Sequence, residues 1–223
     1  MMSANGKPDP EELSSAQCQL LEWHQQRMTA HFAHNLSVGL TGKLSELVGA
    51  GEFADSRGTL AEIKDALRLT TQHARESLER VRTFQLFQSS FHVGKGAHHV
   101  QALVRLALRA VVGFNQVHWR SYINEVPPEL VLAEHCGRLL HVITCMLNWV
   151  HAPDSQKQVT ITWPSGQKAI VIAWTGDFRE TNMEADIQVL GLLERLLAGN
   201  FSLEQKACRM SFEFAEEPAL WTV

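Results

Sequence analysis

The chain has 223 residues, 45% of them apolar and 20% charged, with a formal net charge of −4; it is long enough to bury a core in one or two domains and too apolar for disorder beyond its ends. That charge gives no global basic field of the kind phosphate-backbone binding requires, so no nucleic-acid partner is expected. Cys18, Cys136, Cys145 and Cys208 show no C-x-x-C spacing, MMSANGKPDPEEL is too polar for a signal or anchor, and no apolar run approaches the roughly 20 residues that span a bilayer. A reduced, cytoplasmic protein without a membrane segment is the expectation.

From Ser14 to about Val48, the residues Leu21, Met28, Phe32, Leu36, Leu40, Leu44 and Leu47 recur at three-, four- or seven-residue spacing and predict one stripe of a long helix. The run GAGEFADSRG then breaks the pattern. Thr59 and Glu62 form a T-x-x-E capping box ahead of a second stripe, Leu60, Ile63, Leu67, Thr70, Ala74, Leu78 and Val81. Residues 14–92 therefore read as an antiparallel helical hairpin. Two helices cannot hide such a stripe by themselves, so the hairpin is expected to pair with a copy of itself into a four-helix bundle, as a homodimer.

After Gly94 and Gly96 the pattern becomes mixed, and residues 97–216 read as a second domain. A helix is expected over Val100 to Val112, a strand over Trp119 to Asn124, and a helix over Glu134 to Val150. QVTITW and KAIVIAW are short alternating, β-branched runs on either side of PSGQ, the pattern of a β-hairpin. A helix over Met183 to Ala198, a turn at Gly199 and Asn200, and the strand CRMSFEF follow. The fold class is α+β: a helical hairpin, then helices packed on a sheet.

This order of elements resembles a bacterial sensor histidine kinase core, in which a dimerisation and histidine phosphotransfer hairpin precedes a Bergerat-type ATPase domain. His34-Asn35-Leu36-Ser37-Val38-Gly39-Leu40-Thr41 is similar to the kinase H-box, His-acid-Leu-x-x-Pro-Leu-Thr, with Gly39 where proline is common. INEVPPELVLAEHCGRLLHVITCMLNWV is similar to the segment leading through the N-box helix, LGLLERLLAG to the helix after the last ATP box, and CRMSFEF to the closing strand.

The departures matter as much. Cys145 and Trp149 stand where the resemblance places the N-box asparagines that hold magnesium. Trp174, Gly176 and Phe178 stand where an Asp-x-Gly-x-Gly loop would read adenine, and an indole N–H only donates, so it cannot replace the aspartate. Between Gly176 and Gly191 there is no length for a phosphate lid. The ATP site is therefore expected to be degenerate, with Trp149 and Trp174 filling it, no cofactor bound and no ATP-dependent kinase activity.

His34 lies about 200° around the helix from Leu36, at roughly 100° per residue, and is expected to face solvent, with His31 one turn earlier on the same side. The resemblance then implies a monofunctional histidine phosphotransferase of the ChpT or sporulation-relay type. Such a protein passes phosphoryl groups between receiver-domain aspartates through His34 as phosphoacceptor. Asn35 follows the histidine where kinases carry an acid; it can accept the imidazole N–H but brings no charge. The partners implied are receiver domains of response regulators, with a hybrid sensor kinase upstream. Lys43, Arg75 and Arg82 are candidates to flank that contact. The alternative is a pseudokinase-like adaptor that binds a response regulator or kinase without covalent chemistry, for which Asn35 and Val38 argue. His31 with His34, His98 with His99, and His135 with Cys136 and His141 are candidate metal ligands by residue type; no third ligand at suitable spacing completes a set, and no metal is expected.

Overall fold

The computed structural model describes residues 13–57, 59–114, 121–151, 157–175, 177–178 and 183–214. Helix α1 (Ser15–Arg57) and helix α2 (Leu60–Ser90) form the hairpin. α1 does not stop near Val48: it runs through the glycines of GAGEFADSR to Arg57. Glycine lowers helix stability by about 1 kcal/mol per residue without blocking the hydrogen-bond ladder, so Gly49 and Gly51 weaken α1 here without ending it. The expected capping box starts α2. Thr59 N–H donates to Glu62 Oε2 at 2.7 Å, and Glu62 N–H donates to Thr59 Oγ1 at 3.4 Å.

Strand β1 (Lys95–His99), helix α3 (Val100–Phe114), strand β2 (Tyr122–Asn124), strand β3 (Val131–His135) and helix α4 (Cys136–Asn148) follow. Strands β1 and β3 pair antiparallel, His98 opposite Leu132 and His99 opposite Val131. Neither strand is marked in the sequence by alternation. The pairing draws Glu134 and His135 out of the helix expected to begin there, and α4 starts at Cys136. The expected strand from Trp119 is described only from Tyr122; Trp119 and Arg120 lie outside the described residues.

Strands β4 (Val150–His151), β5 (Val159–Thr162), β6 (Ala169–Trp174) and β7 (Asp177–Phe178), helix α5 (Met183–Leu196) and strands β8 (Gly199–Glu204) and β9 (Arg209–Phe214) complete the described elements. Five strands make one mixed sheet in the order β2-β5-β6-β9-β8, with β2 parallel to β5 and the other pairs antiparallel; β4 pairs with β7 separately. The predicted β-hairpin is β5-β6, closed where Gln167 N–H donates to Pro164 O at 3.1 Å. The turn expected at Gly199 and Asn200 falls instead on residues 197–198, Ala198 taking φ 45°, and Gly199 opens β8. Among the described residues no helix is long and apolar enough to cross a membrane.

Register explains the sheet's apolar face. Ile161 stands opposite Ile172, Ile172 opposite Met210 and Ile170 opposite Phe212, so period-two alternation in three strands lands on one side. These residues share a core with α3, α4 and α5, and every residue of α4 except Arg138 and Asn148 is buried. The base of the hairpin joins this core. Met28, Phe32 and Leu36 of α1 and Phe87 of α2 are buried, Phe32 meets Phe87 edge-on at 5.1 Å, and Phe91 bridges to His141 of α4 at 5.6 Å. Further along the hairpin the stripe stays open: Leu44, Leu60, Leu67 and Leu78 are exposed.

Hairpin and second half pack backbone against backbone at Gly137, where an added Cβ would stand 2.4 Å from the Phe91 carbonyl oxygen. Gly137→Ala is expected to destabilise the fold by about 1–3 kcal/mol because neither backbone can retreat. Gly42→Ala, with nothing within 4 Å of its Cβ, is expected to stabilise by about 0.5–1 kcal/mol through helix propensity. Urea denaturation of the two variants measures both.

Candidate functional site

The period of α1 that buries Met28, Phe32 and Leu36 turns His31 and His34 outward, and both are exposed. Asn35 is half-buried between these faces. Its amide Nδ2 donates to His31 Nε2 at 3.1 Å, which makes that nitrogen an acceptor and puts the neutral ring's proton on Nδ1. Val38, one turn beyond His34, is exposed. Gly39 lies against α2, where an added Cβ would come 2.9 Å from Arg80 Nη1. Chemically, this face offers an imidazole lone pair to an electrophile with no burial to overcome.

The proposed flanking cations divide. Lys43 is drawn into the hairpin by an ion pair with Glu76, and its side chain is only 17% exposed. That hydrogen bond from Lys43, reinforced by Gln72, holds the Glu76 carboxyl below its ordinary range. Arg75 and Arg82 remain exposed on α2.

In the second half, Cys145 on α4 and Trp149, which caps the C-terminal end of α4, are fully buried, and Trp174 is buried on β6. Trp149 meets Phe201 edge-on at 5.5 Å and Phe178 at 6.3 Å, and Trp174 stacks on Phe178 at 5.5 Å with 23° between planes. The two tryptophans therefore share Phe178. Gly191 is half-buried on α5, and Gly176 lies outside the described residues. His34 is not part of this buried group: it is solvent-exposed on α1, while Cys145 and Trp149 have no exposure.

One polar group of side chains escaped the sequence reading. His24 of α1, His141 of α4 and Asp186 of α5 are buried together. His24 Nε2 meets Asp186 Oδ1 at 2.7 Å, and His24 Nδ1 meets His141 Nε2 at 2.8 Å. Trp149 Nε1–H donates to Asp186 Oδ2, also at 2.7 Å, so both carboxylate oxygens are used. His141 Nδ1 has no hydrogen-bond partner. Burial, helped by His24 alongside, pushes the His141 imidazole down to about 3, so that ring stays neutral at ordinary pH. The same burial, with the Asp186 charge second, pushes the Cys145 thiol well above its usual value.

A faint signal for this group exists in the sequence. His24 falls between Leu21 and Met28 on the apolar stripe, His141 interrupts LLHVITCML, and Asp186 lies three and four residues before the buried Val189 and Leu190. Polar residues at stripe positions are the mark of a buried partner. What no spacing reveals is that residues 117 and 162 apart meet.

No family model matches the chain, and no curated protein matches it. Solved structures do. A bacterial phosphotransferase is similar at 13% identity and a TM-score of 0.48, over 91% of this chain and 98% of that one. The histidine kinase domain of the blue-light activated kinase EL346 from Erythrobacter litoralis is similar at 12% identity and 0.40, over 86% and 93%. A histidine kinase from Burkholderia phymatum is similar at 11% and 0.38, over 91% and 97%. At these scores and identities the likeness is one of loose arrangement and says nothing of activity.

Asp186→Ala leaves two buried donors, His24 Nε2 and Trp149 Nε1, without an acceptor, and is expected to cost about 2–4 kcal/mol. Trp149→Phe removes one donor and part of a ring and is expected to cost less, about 1–3 kcal/mol. Chemical denaturation followed by circular dichroism measures both.

Proposed function

We propose that this chain is a histidine phosphotransferase of a two-component relay, acting in the cytoplasm as a homodimer and carrying the phosphoryl group on His34. The observation that carries this reading is the placement of His34: exposed on the outer face of the helical hairpin, within a segment similar to the kinase H-box, on a helix whose opposite face is buried. The ring's unprotonated nitrogen attacks the phosphorus of a receiver's aspartyl phosphate. A P–N bond forms, the P–O bond breaks, and the receiver departs as a carboxylate; a second receiver's aspartate then takes the group by the reverse chemistry. No nucleotide is needed. The aromatic packing of Trp149, Trp174 and Phe178 supports that part of the reading, since apolar bulk stands where the kinase resemblance would put the ATP contacts.

Leu44, Leu60, Leu67 and Leu78 support the homodimer, because a second copy of the hairpin would cover this open stripe as a four-helix bundle. The double variant Leu67→Glu with Leu78→Glu is expected to sediment as a monomer with unchanged helicity; sedimentation velocity against wild type checks it, and an unaltered sedimentation coefficient would refute it.

A second reading has one observation in its favour. The Asn35 amide is engaged with His31, and an uncharged Asn35 polarises His34 less than an acid would, as an adaptor that only binds receivers would tolerate. Incubation with receiver domains phosphorylated beforehand separates the two. Acid-labile, base-stable label is expected on the wild-type chain and at least 100-fold less on His34→Gln, with receiver binding retained. Binding without label on wild type would establish the adaptor instead.

A further inference from the structure

One ligand atom from each of His24, His141 and Cys145 lies within 4.8 Å of the other two, and all three residues are buried. We propose that these side chains form a buried three-ligand site for a single divalent ion of the zinc type, bound by two imidazoles and one thiolate with the fourth tetrahedral position left to a water, and with Asp186 as the outer partner of His24.

The chemistry of the donors points this way. Two imidazoles and a thiolate are the borderline-soft set that zinc prefers over oxygen donors. The histidine rings lie with centroids 5.0 Å apart and 27° between planes, while their facing nitrogens are 2.8 Å apart. That separation is close to the nitrogen contact plus two ring radii, so the rings meet edge to edge and both in-plane nitrogens converge on one place. A tetrahedral ion with metal–nitrogen bonds of about 2.0 Å needs the nitrogens to part by about 0.5 Å, with the ion displaced from the line between them toward the thiolate. His24 is already held as a zinc-bound histidine is: its other ring nitrogen meets a carboxylate, which fixes the tautomer and the ring orientation. Trp149 fixes that carboxylate in turn.

Charge selects a divalent ion. Counted as two neutral imidazoles, a thiol and a carboxylate, the four side chains sum to −1. Binding M²⁺ releases the thiol proton to solvent and moves the His141 proton from Nε2 to Nδ1, which leaves a net charge of zero. A buried pocket tolerates the neutral sum best, and a monovalent ion would leave it negative. The ion would tie α1 to α4 through the metal and to α5 through Asp186, holding the hairpin to the second half.

The test uses the full chain, stripped by chelator and titrated with Co²⁺ and then Zn²⁺. Wild type is expected to bind one equivalent, to develop a thiolate-to-cobalt charge-transfer band that zinc abolishes, and to melt several degrees higher with zinc. Cys145→Ser is expected to lose both the band and the melting shift. Should that variant not fold, the triple variant Cys18→Ser, Cys136→Ser, Cys208→Ser leaves Cys145 as the sole thiol and is expected to keep the band. A folded wild type with neither band nor shift at saturating cobalt overturns the proposal, as does a band that survives in folded Cys145→Ser or disappears from the folded triple variant.

Discussion

The Asp186 carboxylate is the point on which the two halves of the molecule are joined. It stands on α5 in an apolar interior and accepts a hydrogen bond through each oxygen, from Trp149 at the end of α4 and from His24 of α1. A buried carboxylate is tolerated only when such donors are in place, so the relative setting of three helices follows from satisfying one side chain. His141 extends the chain of contacts to Phe91, and Phe91 to Phe87 and Phe32, so that a polar clasp and an aromatic seam close the same joint. Gly137 sets how tightly it closes.

That joint divides the hairpin's apolar stripe into two uses. Met28, Phe32 and Leu36 are consumed within the chain, in a core shared with the sheet. Leu44, Leu60, Leu67 and Leu78 are left over. A stripe that reads as continuous in the sequence thus serves an internal interface over its first turns and lies exposed beyond them. The exposed His34 stands near the boundary between these stretches, facing neither.

Much of the fold was legible because it rests on local periodicity. The two hairpin helices, α3, α5, the β5-β6 hairpin and β9 all follow from period 3.6 or period 2, and the T-x-x-E box marks the start of α2 to the residue. The misses came where local signals and tertiary pairing disagree. GAGEFADSR holds two glycines and yet stays helical, because glycine weakens a helix without breaking its hydrogen-bond ladder. β1 and β3 were hidden since KGAHH carries no apolar alternation and is a strand only by virtue of its partner. At the candidate site, the outward position of His34 could be read from α1 alone. The His24–His141–Asp186 contact could not, since it depends on how three helices cross, although each member betrays itself as a polar residue in an apolar stripe. Sequence spacing sets His141 beside its neighbours His135 and Cys136, whereas the fold sets it against the distant His24.

The unbroken course of α1 has a mechanical meaning. As a helix of 43 residues it is a rod about 65 Å long, clamped near its start through His24, and His34 lies only about 15 Å along the rod from that clamp. A group mounted so close to a fixed end cannot swing. The backbone that carries this imidazole is a stationary post, and a molecule that meets it must come to a surface that does not reach out.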